Sequence, residues 1–208
     1  EQTPLMQLFS ASYAAIIEEI GFRISPIGLF VIIDVFVARV RNGITLSGVE
    51  RLKLFFKALI YPDKAKKTVG LKTVGDFGVR GGIGQGEWIT IFLTALVWAA
   101  LHFVIGGWTV GKITSVFVDG LVFGLVYLVY GAYAPILLHW FFNYYLSILS
   151  SDLSLIYYPY LLPISDLAVL LMLGVGIVGW IAFAIIGVKK LLKLRAKPSQ
   201  PLPLPPPP

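Results

Sequence analysis

The chain has no cysteine, so neither a disulfide scaffold nor a cysteine nucleophile is open to it. Charge is scarce. Charged residues make up 13% of the 208 residues against 57% hydrophobic, a balance that excludes an ordinary soluble domain and predicts an integral membrane protein. Histidine is scarcer still, with two in the chain, His102 and His139, both inside apolar segments. No internal repeat of the kind channels and transporters carry is visible, which sets that class aside. The length allows one helical bundle and no second domain of useful size.

Most of the positive charge lies in two stretches. Of the 17 Lys and Arg, ten fall between Arg39 and Arg80 and five follow Val188. A net charge of +6 spread evenly would suggest nucleic acid. Confined to stretches that flank apolar spans, it instead follows the positive-inside rule, with anionic lipid headgroups as partner and nucleic acid excluded. The basic loop and the C-terminus are therefore expected on the cytoplasmic side of a multi-pass protein. Ser150 to Ile164, which has no Lys or Arg, is expected on the other.

In chain order, Leu5 to Ile24 is apolar enough to cross lipid, and Ser25-Pro26 is expected to interrupt it because the residue before a proline is pushed away from helical angles. Ile27 to Val40, with Asp34 inside it, suits a re-entrant or protein-buried helix better than a full span. A kinked continuation and a hairpin both remain open. Ser47 to Ile60 sets Val49, Leu52, Phe55, Phe56 and Leu59 at helical spacing against Glu50, Arg51, Lys53 and Lys57, the pattern of an amphipathic interfacial helix. Tyr61 to Gly86 reads as a basic, glycine-punctuated loop, and its Gly82-Ile-Gly84-Gln-Gly86 run lacks the spacing of a dinucleotide cradle. Trp88–Gly106, Ile113–Tyr130, Ala132–Leu149 and Asp166–Val188 each approach the ~20 residues that span ~30 Å of hydrocarbon. The fold class is thus all-α, a polytopic transmembrane bundle over residues 1–190 followed by a basic, proline-rich cytoplasmic tail over 191–208. The tail is expected to be extended or solvated.

Against this apolar background, Ile16 to Arg23 reads Ile-Ile-Glu-Glu-Ile-Gly-Phe-Arg. Ionisable side chains at membrane depth are rare and mark functional sites with partners to be found. The partners on offer are Trp98-x-x-x-His102 and His139-x-x-x-Asn143. Glu-Glu-x-x-x-Arg, aromatic-x-x-x-His and His-x-x-x-Asn, in that order on separate apolar segments, resemble the CAAX-protease and bacteriocin-processing (Rce1-like) family of intramembrane glutamate or metallo proteases. The resemblance runs from about Ile16 to Tyr145, with Trp98 where the family more often has Phe. It implies an endopeptidase acting on membrane-associated, CAAX-type prenylated or other hydrophobic peptides. It also implies helices upstream of Glu1, in a longer product. A non-enzymatic relative, serving as a bacteriocin-immunity or scaffold protein, is the alternative it allows.

The spacing assigns roles. On a helix Glu19 and Arg23 are i and i+4 and neutralise each other, whereas Glu18 is turned about 100° away and left for general-base work. His139 and Asn143, also one turn apart, present an imidazole and an amide on one face. Two mechanisms use these parts. Glu18, His102 and His139 could ligate a catalytic zinc with one position for water. Alternatively, and with slight preference, Glu18 and His102 activate water without metal while His139 and Asn143 stabilise the oxyanion. At ~1.5 Å per residue from the expected cytoplasmic ends, His139 lies about ten ångströms deep and His102 about twenty. A shared site therefore requires the His102 helix to project beyond the membrane at its start.

Overall fold

The computed structural model describes residues 3–107 and 109–150, and scattered positions between 167 and 192. The chain divides into two compact units, Glu1–Ser151 and Asp152–Pro208. In the first, the described residues form helices α1 (Pro4–Glu19), α2 (Pro26–Arg41), α3 (Gly48–Ile60), α4 (Pro62–Thr68), α5 (Val74–Gly82), α6 (Gln85–Val104), α7 (Val110–Tyr130) and α8 (Tyr133–Ser150), with no strand among them. The fold is all-α. In the second unit the described residues, between Leu167 and Leu192, are helical, in the region where the last apolar segment was expected. The boundary expected at 190/191 and the proline-rich tail beyond Leu192 lie outside the described residues.

Three described helices are long and apolar enough to cross a membrane: Phe9–Arg41, Gln85–Val104 and Val110–Tyr130. The first corrects the expected break at Ser25-Pro26, because the chain stays helical from α1 into α2. Pro26 has no N–H to give and its ring crowds the carbonyl four residues back. A π-helical turn over Ile20–Ile24 absorbs both problems, with Ser25 N–H donating to the Ile20 carbonyl at 2.9 Å. The same widened turn carries Arg23, fully buried, into the bundle. The segment from Ile27 is thus a continuation, not a hairpin, and it buries Ile27, Val31 and Val35 against Leu54, Ile91 and Tyr127.

Helix α3 forms as expected. Ser47 caps it in a reciprocal box with Glu50, and the Ser47 backbone N–H holds the Glu50 carboxyl below its usual range. Leu54 and Ala58 face protein, whereas Val49, Leu52, Phe55 and Phe56 remain exposed, an apolar face fit for a lipid interface.

The loop expected over Tyr61–Gly86 contains two short helices instead. Side-chain capping holds them: Asp63 on α4 accepts from the backbone N–H groups of Val74 and Gly75 at the start of α5, at 2.7 and 3.1 Å. Thr73 caps α5 together with Asp76, whose carboxyl is held low by Lys67 and by the Thr73 hydroxyl. Lys66, one of the residues of the expected basic loop, is buried. Its Nζ donates to Glu87 at 2.8 and 2.9 Å and to the Gly82 carbonyl at 2.6 Å, tying α4 to the start of α6.

Helices α6 and α7 meet along a seam of small residues. A methyl group added at Gly120 would sit 2.9 Å from the Ala95 Cβ and 3.2 Å from Cε3 of Trp98, and one at Gly124 would sit 2.9 Å from Ile91 Cγ2. That close approach places Trp98, Ala99, Val116 and Phe123 in a second buried cluster around the residues singled out by the sequence.

Candidate active site

The π-turn and the α6–α7 seam bring four helical segments to one point. Glu19 and Arg23 face each other as their spacing predicts, Nη1 lying 3.1 Å from Oε1 with both side chains fully buried. The pair is close but not aligned for a hydrogen bond, and Nε, Nη1 and Nη2 of Arg23 have no hydrogen-bond acceptor among the described residues. The guanidinium lies over the Trp98 ring instead, its Cζ 4.1 Å from the centroid, and 5.3 Å from the centroid of Phe123. Proximity to one carboxylate and contact with two aromatic faces keep this charge inside the bundle.

Glu19 has a second duty. Its Oε1 lies 2.8 Å from Nδ1 of His139. A carboxylate only accepts, so Nδ1 carries the proton and the lone pair of the neutral ring is on Nε2. His102 obeys the same logic with a different partner, its Nδ1 donating at 2.9 Å to the backbone carbonyl of Trp98 one turn earlier. Its lone pair too is on Nε2.

Both Nε2 atoms face one oxygen. Glu18 Oε2 is 3.6 Å from Nε2 of His102 and 4.0 Å from Nε2 of His139. The convergence anticipated from sequence is therefore present, and the two rings lie close enough to share a site despite the different depths counted for them. Glu18 is not the unpartnered carboxylate its spacing suggested, because Oε2 also accepts a 2.7 Å hydrogen bond from the Trp98 indole N–H. Its side chain is 27% exposed where that of Glu19 is wholly covered, so of the two acids Glu18 is the one a substrate can reach.

Asn143 has a structural tie beside the use expected of it. One of its amide N–H groups donates to the Ala11 carbonyl at 3.1 Å, joining α8 to α1, and the second amide hydrogen is what remains for an oxyanion. Asp34, the acid inside α2, lines a cavity of about 370 Å³ with Arg41, Lys66 and Lys72.

Residue types suit zinc better than spacing does. Glu18, His102 and His139 would be its ligands, with both imidazoles offering Nε2 and both Nδ1 atoms held by acceptors, as metal-bound histidines require. Tetrahedral bonds of ~2.0 Å would set the donors about 3.3 Å apart. Among the described residues no group of three or more His, Cys, Asp or Glu is arranged to hold a metal ion. The 4.0 Å gap from Glu18 to His139 would have to close first.

The sequence reading missed one role and one residue of the site. Trp98 stands in the motif one turn before His102 and packs on that ring at a centroid distance of 4.6 Å, but its donor role to Glu18 depends on where the indole edge meets α1. Phe123 stacks on His139 at 5.3 Å and 27°, and nothing in its local sequence distinguishes it from other apolar residues of α7.

Fold and site together define a helical membrane protein with a polar centre of glutamate, arginine and histidine. The chain belongs to the family described as type II CAAX prenyl endopeptidase Rce1-like, whose model matches residues 1–145. Membership implies a CAAX-type peptidase in a lipid environment. No curated protein and no solved structure matches the chain.

Proposed function

We propose that the chain is an intramembrane endopeptidase that hydrolyses peptide bonds of membrane-associated substrates, prenylated CAAX-type peptides among them, near the cytoplasmic face. The observation that carries this is the convergence of two imidazole Nε2 atoms on one oxygen of the part-exposed Glu18. Water held between Glu18 and His102 loses a proton to the Glu18 carboxylate as its oxygen bonds to the scissile carbonyl carbon. The carbonyl oxygen becomes an oxyanion beside Asn143, where the second amide hydrogen can stabilise it. His139 assists if its ring is protonated, with Glu19 stabilising that charge. When the tetrahedral species collapses the C–N bond breaks, the proton on Glu18 passes to the leaving amine, and the carboxylate is regenerated.

In this reading no metal is needed. Zinc bound by Glu18, His102 and His139 would supply an activated water and a Lewis acid, and the protein-only sequence of proton transfers would then give way to it. The test is cleavage of an internally quenched farnesylated peptide by purified protein and by Glu18→Ala, with bound metal measured on the same samples. Loss of roughly a hundredfold to ten-thousandfold in kcat on removing Glu18 is expected, together with activity that survives a chelator in protein lacking stoichiometric zinc. Equal turnover by the two proteins removes Glu18 as base, and chelator-sensitive activity restored by zinc replaces the metal-free version.

A further inference from the structure

We infer that Trp98 is the positioning residue of the site, its indole N–H holding the reactive oxygen of Glu18 between the two imidazoles. The inference rests on Glu18 as the general base. Several observations converge on the one ring. Trp98 is 4% exposed, and an indole N–H so placed in an apolar bundle requires an acceptor. The acceptor is Glu18 Oε2, at 2.7 Å, the oxygen that both histidines face.

The ring face has a separate task. Arg23 lies over it at 4.1 Å, so the indole engages the guanidinium through its π face and the catalytic carboxylate through its N–H edge. Arg23 pairs with Glu19, and Glu18 is kept for chemistry. The backbone carbonyl of the same residue fixes the tautomer of His102. The ring itself is seated by α7, with Phe123 5.8 Å away between centroids and the backbone of Gly120 leaving room for Cε3. A phenylalanine at this position would keep the packing and the face but give Glu18 no donor.

A carboxylate that swings on its side-chain torsions spends little time in reach of both water and a scissile carbonyl. A charge-assisted hydrogen bond to one oxygen removes much of that freedom. The expected signature of losing it is a fall in kcat of roughly ten- to a hundredfold with KM changed less than about twofold, because substrate binding does not pass through the indole N–H.

The experiment replaces the Trp98 indole by its benzothiophene isostere, which keeps ring shape and removes the N–H, alongside Trp98→Phe and Glu18→Ala, all as full chains in nanodiscs. The same farnesylated peptide reports kcat and KM. The indole N–H resonance of Trp98, assigned by its loss in Trp98→Phe, is followed by NMR and needs no substrate. Expected are a selective fall in kcat for the isostere and an upfield move of the Trp98 signal in Glu18→Ala, with the other four indole signals unmoved. A Trp98 signal indifferent to Glu18→Ala, or an isostere with wild-type kcat, overturns the inference. If Trp98→Phe loses kcat and the isostere does not, ring packing and not the N–H is responsible, which also overturns it. Wild-type turnover in Glu18→Ala sinks the general-base reading and this inference with it, whereas wild-type turnover in the isostere alone sinks only the inference.

Discussion

A single buried charge decides more here than any count of contacts. Arg23 is fully enclosed, and its counter-charge within salt-bridge distance is Glu19, which also sets the tautomer of His139. Removing one partner of such a pair leaves a charge with no partner in low dielectric, at a cost of about 3–5 kcal/mol, while replacing both can be neutral. Glu19→Ala is therefore expected to lower the thermal unfolding temperature in detergent sharply. The double variant Glu19→Gln with Arg23→Met should recover most of that stability while turnover stays depressed, because the carboxylate behind His139 is gone. A double variant as unstable as the single one would show that packing around Glu19, not charge balance, sets the cost. The identity of these residues was legible because acids, a base and both histidines stand out in an apolar chain. The use of Asn143 as a tether to Ala11, and of Trp98 as a donor, was not, since each depends on which backbone or carboxylate a neighbouring helix presents.

Between elements, the site is set by how near α6 and α7 approach. Gly120 allows the contact with Ala95 and leaves room for the Trp98 ring, so a branched side chain there must push the helices apart or rotate the indole. Gly120→Val is expected to cost about 1–3 kcal/mol from overpacking and to reduce turnover at least tenfold, as Trp98 carries both Glu18 and His102 with it. Gly21→Ala, where an added methyl meets nothing within 4 Å, should leave unfolding temperature and activity near wild type. Equal effects of the two substitutions would deny the seam its role. The presence of α3, α6, α7 and α8 followed from helical spacing and hydrophobic runs, although α6 and α7 each begin three residues before the run that marked them. The helices at Pro62–Thr68 and Val74–Gly82 were hidden because what stabilises them is not periodicity but Asp63 reaching across eleven residues and Lys66 leaving solvent for Glu87. Pro26 misled for a related reason. The local rule predicts a stop, and the π-turn that overrides it is held by a bundle the rule does not consider.

At the scale of the whole molecule, the arrangement of charge predicts one orientation, which can be tested. The basic stretch from Arg39 to Arg80 runs from the last turn of the first long helix to just before α6, and Ile105 to Thr109 joins α6 to α7, so one crossing separates them. With the basic stretch cytoplasmic, the positive-inside rule predicts the α6–α7 connection on the opposite side and the basic residues after Val188 on the cytoplasmic side. The absence of native cysteine makes this directly measurable, because a single introduced thiol is the one labelling site in the chain. Lys64→Cys and Ser199→Cys are expected to react with a membrane-impermeant maleimide only after the cells are permeabilised, and Thr109→Cys to react in intact cells. Lys64 is chosen on exposed surface of α4, away from the Lys66–Glu87 pair, so that the substitution reports position without disturbing the bundle. Labelling of Lys64→Cys in intact cells would reverse the orientation. Labelling of Lys64→Cys and Thr109→Cys from one side would mean that α6 does not cross, and a Glu18 centre reached from the cytoplasm would lose its geometric basis.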